Sequence, residues 1–303
     1  MTGPRRRPTA GSSTPQPAPS NPSTPGTLFV VATPIGNLED ITLRALRVLR
    51  EVASIAAEDT RRTAKLLRHY EIQTPLWSLH EHNEHSRMAR VIADLQVGRS
   101  IALVSDAGTP GIADPGSLVV RSVHAAGLKV EPVPGPSAVT AAISAAGLEA
   151  EGFAFLGFAP ATGRARTEFL NKIRNLRALA VVFFEAPHRM RRLLRQLVDV
   201  LGEQQIIVFR ELTKIYESAF VGTTSEAVGR FTEFRGEFVV ILPHRPDDDD
   251  GLVVRTDAEI AVEFGRITDC GASSRRDAIR TTAARLGLAP KAVFDALERA
   301  KKT

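Results

Sequence analysis

Between an apolar run, Ile101 to Val104, and a helical stretch, Ser117 to Ala126, lies the connection Ser105-Asp-Ala-Gly-Thr-Pro-Gly-Ile-Ala-Asp-Pro-Gly116. Three glycines, two prolines and two aspartates are too many for a plain turn. The glycines let the backbone take φ > 0 or approach a ligand closely. Pro110 and Pro115 fix φ and stiffen the loop. A stiff loop at the carboxyl end of a buried strand is where an α/β sheet binds its ligand. The spacing fits neither G-x-G-x-x-G nor G-x-x-x-x-G-K-[ST], so it is neither a dinucleotide loop nor a P-loop.

The rest of the chain agrees with such a sheet. Leu28 to Ala32, Ser54 to Ala57, Leu76 to Leu79, Ile101 to Val104 and Val130 to Val133 read as strands. Helices are expected from Asp40, from Arg61 to Tyr70, from Glu84 to Gln96, and over Ala138 to Ala146. Alternation of this kind predicts a mostly parallel α/β domain over 27–147. Over 148–246 the strands Phe153 to Leu156, Ala180 to Phe184, Ile206 to Phe209, Ser218 to Val221 and Phe238 to Leu242 predict a second α/β domain, with a helix over Leu193 to Leu201. Its last three strands fall close together, so its sheet is expected to be mixed. Pro246-Asp-Asp-Asp-Asp-Gly251 reads as a charged linker. Beyond it, Ser274 with Asp277 makes a capping box, and Pro290 stands at a helix start after Gly287. Residues 247–303 thus read as a linker and a helical module resembling a helix-turn-helix, with a small capping bundle as the alternative.

Composition bounds the function classes. No run approaches the roughly 20 apolar residues of a membrane span. Cys270 is the single cysteine and fits a reducing cytoplasm. Residues 1–26 are rich in Pro, Ser and Thr and carry Arg5, Arg6 and Arg7, which predicts a disordered basic tail. The formal charge is +5, and residues 251–303 carry +3 of it. Arg44, Arg47 and Arg50, and Arg61, Lys65 and Arg68, each put cations on one side of a helix. Such faces suit solvent or phosphate.

Four further clusters carry polar chemistry. His80-Glu-His-Asn-Glu-His85 misses both zinc-helix patterns by one position, so a polar loop is expected and no metal. Pro134-Gly-Pro-Ser-Ala138 sits at a strand-to-helix junction, where free N–H groups suit an anion and Ser137 can cap the helix. Phe184-Glu-Ala-Pro-His-Arg189 and Arg210-Glu-Leu-Thr-Lys-Ile-Tyr-Glu217 each end a strand. Their charges read either as a site or as structural ion pairs.

Taken in order, Ala32 to Asp40, Ala57 to Arg61, Leu79 to Glu84, Ser105 to Gly116, Pro134 to Ala138, Phe184 to Arg189, Arg210 to Lys214 and Gly236 to Val240 resemble the ribosomal RNA small subunit methyltransferase I family, within the tetrapyrrole-methylase superfamily. The resemblance runs from about Thr27 to the C-terminus. It implies two α/β domains of the class III methyltransferase type with S-adenosylmethionine in the cleft between them, and a homodimer. It also implies methylation of the ribose 2′-oxygen of a cytidine in the decoding region of 16S rRNA. On that reading Pro34 and Gly36 border the cofactor, and Asp106, Ala107, Gly108, Ile112, Ser137 and Ala138 line it. Phe184, Pro187 and Leu212 close the pocket from the second domain. Ala113 stands where the family loop commonly has Ser.

A sulfonium donor is intrinsically reactive, so the protein has mainly to align donor and acceptor. The acceptor hydroxyl needs a base. Asp59, His82 and Glu185 are the candidates, with Lys214 if burial depresses its pKa. Arg61, Arg62 and Lys65 are expected to hold RNA phosphates, and the C-terminal helices to add Arg275, Arg276 and Arg280. The partner is then 16S rRNA or the small ribosomal subunit, with no membrane. Two rivals predict other outcomes: a C-methyltransferase acting on a tetrapyrrole, and a non-enzymatic RNA-binding assembly factor.

Overall fold

Ile101 to Val104 are four consecutive buried residues, and in the computed structural model they form the central strand of a five-stranded sheet. The structure describes residues 24–80, 82–148, 152–176, 179–231, 235–244, 257–269, 274–286, 288 and 290–300. Most of the expected tail, the linker 246–251, Cys270, and residues 287 and 289 of the last expected turn lie outside them.

The first sheet comprises β1 (Thr27–Val31), β2 (Ser54–Ala57), β3 (Leu76–Ser78), β4 (Ile101–Val104) and β5 (Lys129–Val133), in the order β3-β2-β4-β1-β5. Every neighbouring pair is parallel. Parallel pairs need crossovers, which α1 (Leu43–Glu51), α2 (Thr60–His69), α3 (Glu84–Gln96) and α4 (Ser117–Ala125) supply. Ala102 and Val104 share a core with Ala45, Val48 and Leu49 of α1 and Leu66 and Leu67 of α2. Ile101 and Leu103 share another with Val91 and Leu95 of α3 and Val119 and Val123 of α4. Side chains alternate along a strand, so a continuous apolar run feeds both faces. The chain leaves β1 toward β2 and leaves β4 toward β5, on opposite sides, so the order reverses between these neighbours. Ligands bind outside the carboxyl ends of strands at such a point.

Local chemistry sets the helix starts, with one correction. Asp40 does not cap α1. It ends a short 3₁₀ turn, Leu38–Asp40, that Asn37 caps. Ile41 then runs extended and buried, and the Thr42 side chain accepts the Ala45 N–H at 3.1 Å. The cations of α1 are engaged: Arg44 with Glu131, Arg47 with Glu51, and Arg50 with the Tyr70 carbonyl. The face is structural and solvated.

The second sheet comprises β6 (Phe153–Phe158), β7 (Ala180–Glu185), β8 (Gln205–Arg210), β9 (Ser218–Thr223) and β10 (Phe238–Leu242), in the order β6-β7-β10-β8-β9. It is mixed, with β6 and β7 parallel and the other pairs antiparallel. One face packs on α6 (Gly163–Asn175), α7 (Pro187–Leu201) and α8 (Thr224–Arg230). α7 begins six residues before the expected Leu193, and α6 and α8 are helices that the sequence pattern does not mark. The buried set Arg166, Phe169, Leu170 and Ile173 has helical spacing, but its first member is charged. The opposite face, with Val182, Ile207 and Ile241, packs on Val139 and Ala142 of α5 (Ala138–Ala145). The helix that follows the last strand of the first sheet therefore completes the core of the second.

A separate compact unit begins at Arg245. In it α9 (Asp257–Asp269), α10 (Arg275–Leu286) and α11 (Pro290–Ala300) pack around Ile260, Ala283, Val293, Ala296 and Leu297. Ser274 Oγ accepts the Asp277 N–H at 3.1 Å and donates to Asp277 Oδ2 at 2.6 Å. No described helix is long and apolar enough to cross a membrane.

Candidate active site

The loops after β1 and β4 are tied together before they reach solvent. The Thr33 and Gly108 backbones exchange two hydrogen bonds, each 2.9 Å. Gly108 has φ +80, a conformation costly for any side chain. At the far end of the loop Gly116 has φ +121, and a Cβ there would meet Leu103 Cδ2 at 2.9 Å. The Gly116 N–H donates to the buried Glu84 carboxylate at 2.6 Å. Glu84 comes from the His-rich segment, and this is what the segment does. Asn83 Oδ1 accepts the His80 N–H at 2.9 Å, and Asn83 Nδ2 donates to the Ser78 carbonyl at 3.3 Å. The segment thus fixes the start of α3 and pins the loop. His82 is exposed beside His80 and does not reach the cavity described next. Among the described residues no three His, Cys, Asp or Glu side chains cluster as a metal would need.

A cavity of about 370 Å³ opens between this loop and the edge of the second sheet. That volume is within the usual range for a small-molecule site. From the first half it is lined by Ile35, Glu58, Arg62, the 106–109 turn, Ile112 to Asp114, and Ser137 to Val139. From the second half come Phe158, Phe184 to Pro187, Leu212, and Glu237 to Val239. Nine expected cofactor residues meet here: Asp106, Ala107, Gly108, Ile112, Ser137, Ala138, Phe184, Pro187 and Leu212. Pro34 lines a smaller neighbouring cavity of about 130 Å³ with Arg62, Lys65 and Asp106. Ser137 occupies the N-cap position of α5 but makes no side-chain cap bond, so the first N–H groups of that helix are not claimed by a cap.

Gly36 lines neither cavity and acts by its lack of a side chain. A Cβ there would lie 2.8 Å from Thr213 Oγ1 and 2.9 Å from the Leu212 carbonyl. The 212–214 loop rests on this spot. Glu211 (φ 54) and Thr213 (φ 64) adopt left-handed backbone on either side of Leu212, which aims Leu212 into the cavity. Gly36→Ala is expected to lift this loop and cost about 1–3 kcal/mol as overpacking does. Urea unfolding measures it, and a loss under about 0.3 kcal/mol would show the seat to be soft.

The cavity is electrically lopsided. Glu58, Asp106 and Asp114 face it with Arg62 as the guanidinium among them. Burial pushes the Glu58 carboxyl up, and the charges of Asp106 and Asp114 add to that, against the Asp106 N–H and Arg62. Burial also raises Asp114, with Asp106 adding to it and a Ser105 hydrogen bond opposing. Asp106 is anchored: Oδ1 accepts the Asp59 N–H at 2.9 Å, and Oδ2 is 3.5 Å from Arg62 Nε.

The expected bases are engaged elsewhere. Asp59 caps α2 and pairs with Arg61; those hydrogen bonds hold its carboxyl at about 2. Glu185 lines the cavity, but its carboxylate is fully buried, accepting from Arg166 Nη1 at 2.7 Å with Arg189 Nε at 2.9 Å. Lys214 corrects its own condition. Burial works against its charge, yet hydrogen bonds to Glu211 and Glu237 outweigh it and hold the pKa above the ordinary lysine value. Glu58 and Asp114 went unread as site residues. The signal for Glu58 is its place as the first residue after a buried parallel strand.

Residues 27–228 match the family of Tetrapyrrole (Corrin/Porphyrin) Methylases. The chain belongs to the tetrapyrrole methylase family. Among curated relatives, one from Xylella fastidiosa (strain Temecula1) is 47% identical over 232 residues, covering 75% of this chain and 85% of its own. A Thermotoga maritima relative is 43% identical over 219 residues, covering 72% and 98%. A Pseudomonas aeruginosa relative is 52% identical over 194 residues, covering 64% and 68%. All three are named ribosomal RNA small subunit methyltransferase I. Among solved structures, a diphthine synthase superposes with TM-score 0.58 at 14% identity, over 72% of this chain and 90% of that one. The native form of a uroporphyrin III C-methyltransferase from Thermus thermophilus gives 0.51 at 17%, over 71% and 97%. These two likenesses show the methylase fold.

Proposed function

We propose that this chain transfers a methyl group from S-adenosylmethionine to small-subunit ribosomal RNA, with the ribose 2′-oxygen of a decoding-region cytidine as acceptor. The observation that carries the reading is the cavity itself. Its carboxylates outnumber its guanidinium, which favours a cationic ligand. Its apolar wall, including Ile35, Ile112, Phe158, Phe184 and Leu212, suits a purine. Phe158 and Phe184 already stack edge to face, with centroids 5.1 Å apart. S-adenosylmethionine combines a sulfonium, an ammonium and an adenine, so the residues present fit it. When bound, it supplies an electrophilic methyl that needs alignment more than activation. On this reading Asp106 to Gly108, Ile112, Ser137 and Ala138 hold it from one side, and Phe184, Pro187 and Leu212 from the other. The relatives named as small-subunit rRNA methyltransferases support RNA as acceptor.

Arg62 and Lys65 line the smaller cavity, which shares Arg62 and Asp106 with the main one, and on this reading they hold phosphates of the acceptor RNA. Arg61 is 87% exposed at the start of the same helix. In the C-terminal unit Arg276 and Arg280 are exposed, and Arg275 pairs with Glu298. The reading includes a homodimer and a cytoplasmic location, the compartment of the proposed substrate.

Nucleoside analysis of 16S rRNA from cells with and without the protein tests the function. The expected result is a 2′-O-methylcytidine that disappears in its absence, with donor binding seen by calorimetry. An unaltered nucleoside profile overturns the RNA acceptor; a methylated macrocycle in its place selects the tetrapyrrole rival. Absence of donor binding selects the assembly factor. Removing residues 251–303 is expected to weaken rRNA binding about tenfold or more at fixed salt, through lost phosphate contacts. Donor affinity should be spared, and equal RNA affinity in the truncated protein would return that unit to a structural role.

A further inference from the structure

We propose that Glu58 is the general base of this methyltransferase, taking the proton of the acceptor hydroxyl as the methyl group moves. The inference rests on the reading above and adds a residue to it. Glu58 follows β2 directly, at the carboxyl edge of the parallel sheet, beside the strand pair where the sheet order reverses. It lines the main cavity together with Asp106, Asp114 and Arg62, and Arg62 is shared with the smaller cavity. Glu58 thus lies in the proposed donor cavity, whose neighbours Arg62 and Asp106 also line the smaller one.

Three of the other carboxylates at this cavity are held by charged partners or a backbone N–H. Glu185 is clamped by Arg166 and Arg189. Asp106 is fixed by the Asp59 N–H and Arg62. Glu237 is bound by Lys214 at 3.0 Å. Asp114 also faces the cavity, but it sits on the 105–116 loop rather than at the end of β2. The Glu58 carboxylate accepts one long hydrogen bond, from the Asp106 N–H at 3.4 Å. It is half-buried, and no salt bridge ties it down among the pairs described. A base must be within reach, accessible and not already committed. Glu58 is half-buried at the cavity wall and carries no ion pair among the described residues, so it meets the last two requirements.

In the step, the hydroxyl proton passes to a Glu58 oxygen. The electron pair of the hydroxyl oxygen closes on the donor's methyl carbon, and the pair of the breaking carbon–sulfur bond stays on sulfur. One sulfonium and one carboxylate become a thioether and a carboxylic acid, so charge balances. The charged groups facing Glu58 are Asp106 and Asp114 from the β4 loop and Arg62 from α2. The two carboxylates and burial favour its protonated form and Arg62 opposes it, with a net rise. A rise brings a carboxylate closer to a working base.

The test uses the full-length protein with small-subunit rRNA particles. Glu58→Gln is expected to bind S-adenosylmethionine within about threefold of wild type. Its single-turnover methyl transfer should fall about 10²–10⁴-fold, the usual share of a general base. Glu58→Asp should recover part of the rate. In wild type the rate should fall on acidification with an apparent pKa above the ordinary glutamate value, and this limb should vanish in Glu58→Gln. Infrared difference titration should show one carboxyl protonating in that range in wild type and not in the variant, a readout independent of turnover. Transfer by Glu58→Gln within about fivefold of wild type, with the acid limb kept, overturns the inference alone. Lost donor affinity in both variants also overturns it, making Glu58 a binding group. Wild type that binds donor but methylates no rRNA overturns the parent reading, and this inference with it.

Discussion

Replacing Asp106 by alanine is expected to lower affinity for S-adenosylmethionine at least about 100-fold, roughly 3 kcal/mol, while the protein still folds. Two losses combine. The first is a carboxylate at the mouth of a cavity whose surplus of negative charge is what suits a cationic ligand. Hydrogen bonds to charged groups are worth about 1.5–3 kcal/mol. The second is the tie between loops. Asp106 Oδ1 receives the Asp59 N–H at 2.9 Å, and without it the β4 loop is free to part from the end of β2. The fold should survive, because the side chain is 24% exposed and its ion contact with Arg62 is long, at 3.5 Å. Such a pair contributes about 0–1 kcal/mol. Asp106→Asn separates the two losses. It keeps an acceptor for Asp59 and removes the charge, and an intermediate affinity is expected. Calorimetry reads both variants, and an unchanged Kd in Asp106→Ala would remove this loop from the site.

The other large effect concerns stability. Glu185→Leu is expected to cost about 3–5 kcal/mol, as breaking one side of a buried ion pair does. The Glu185 and Arg166 side chains are 0% and 3% exposed, and the guanidinium also donates to Pro160 O and Gln196 Oε1, each at 3.0 Å. Leaving Arg166 without its carboxylate strands a charge between α6 and β7. The double variant Arg166→Met with Glu185→Leu should recover much of the loss, because two apolar groups need no counter-ion. Denaturant unfolding of the three proteins measures this. A single-variant loss below about 1 kcal/mol would show that water reaches the pair. The result also bears on mechanism, because a carboxylate committed to two arginines holds the second half together and is a poor base.

The reading of individual residues went furthest where local sequence carries its own constraint. The Ser105 to Gly116 loop announced itself through glycine and proline, and the structure places it at the reversal point of the sheet. Apolar runs located the ten described strands, most directly those, such as β4 and β10, whose residues are all buried. Charged residues were harder to read. The cations of α1 and α2 both recur along one side of a helix, yet the first set is tied to carboxylates and a carbonyl while Lys65 of the second, with its neighbour Arg62, reaches a cavity. Glu185, Lys214 and Asp59 looked available as bases, and each has partners from elsewhere in the chain or from its own helix.

The amino-acid order alone determined two sheets, the stiff bend after β4 and a helical C-terminal stretch. Those depend on side-chain periodicity and backbone preference, which are properties of neighbours in sequence. Only the tertiary structure decided that α5 closes the second sheet, that Gly36 is a seat for the Leu212 loop, and that Glu58 and Asp114 face one cavity where burial raises both carboxyls. Each of these turns on contacts between residues far apart in the chain, and Coulomb energy and steric fit depend on distance in space.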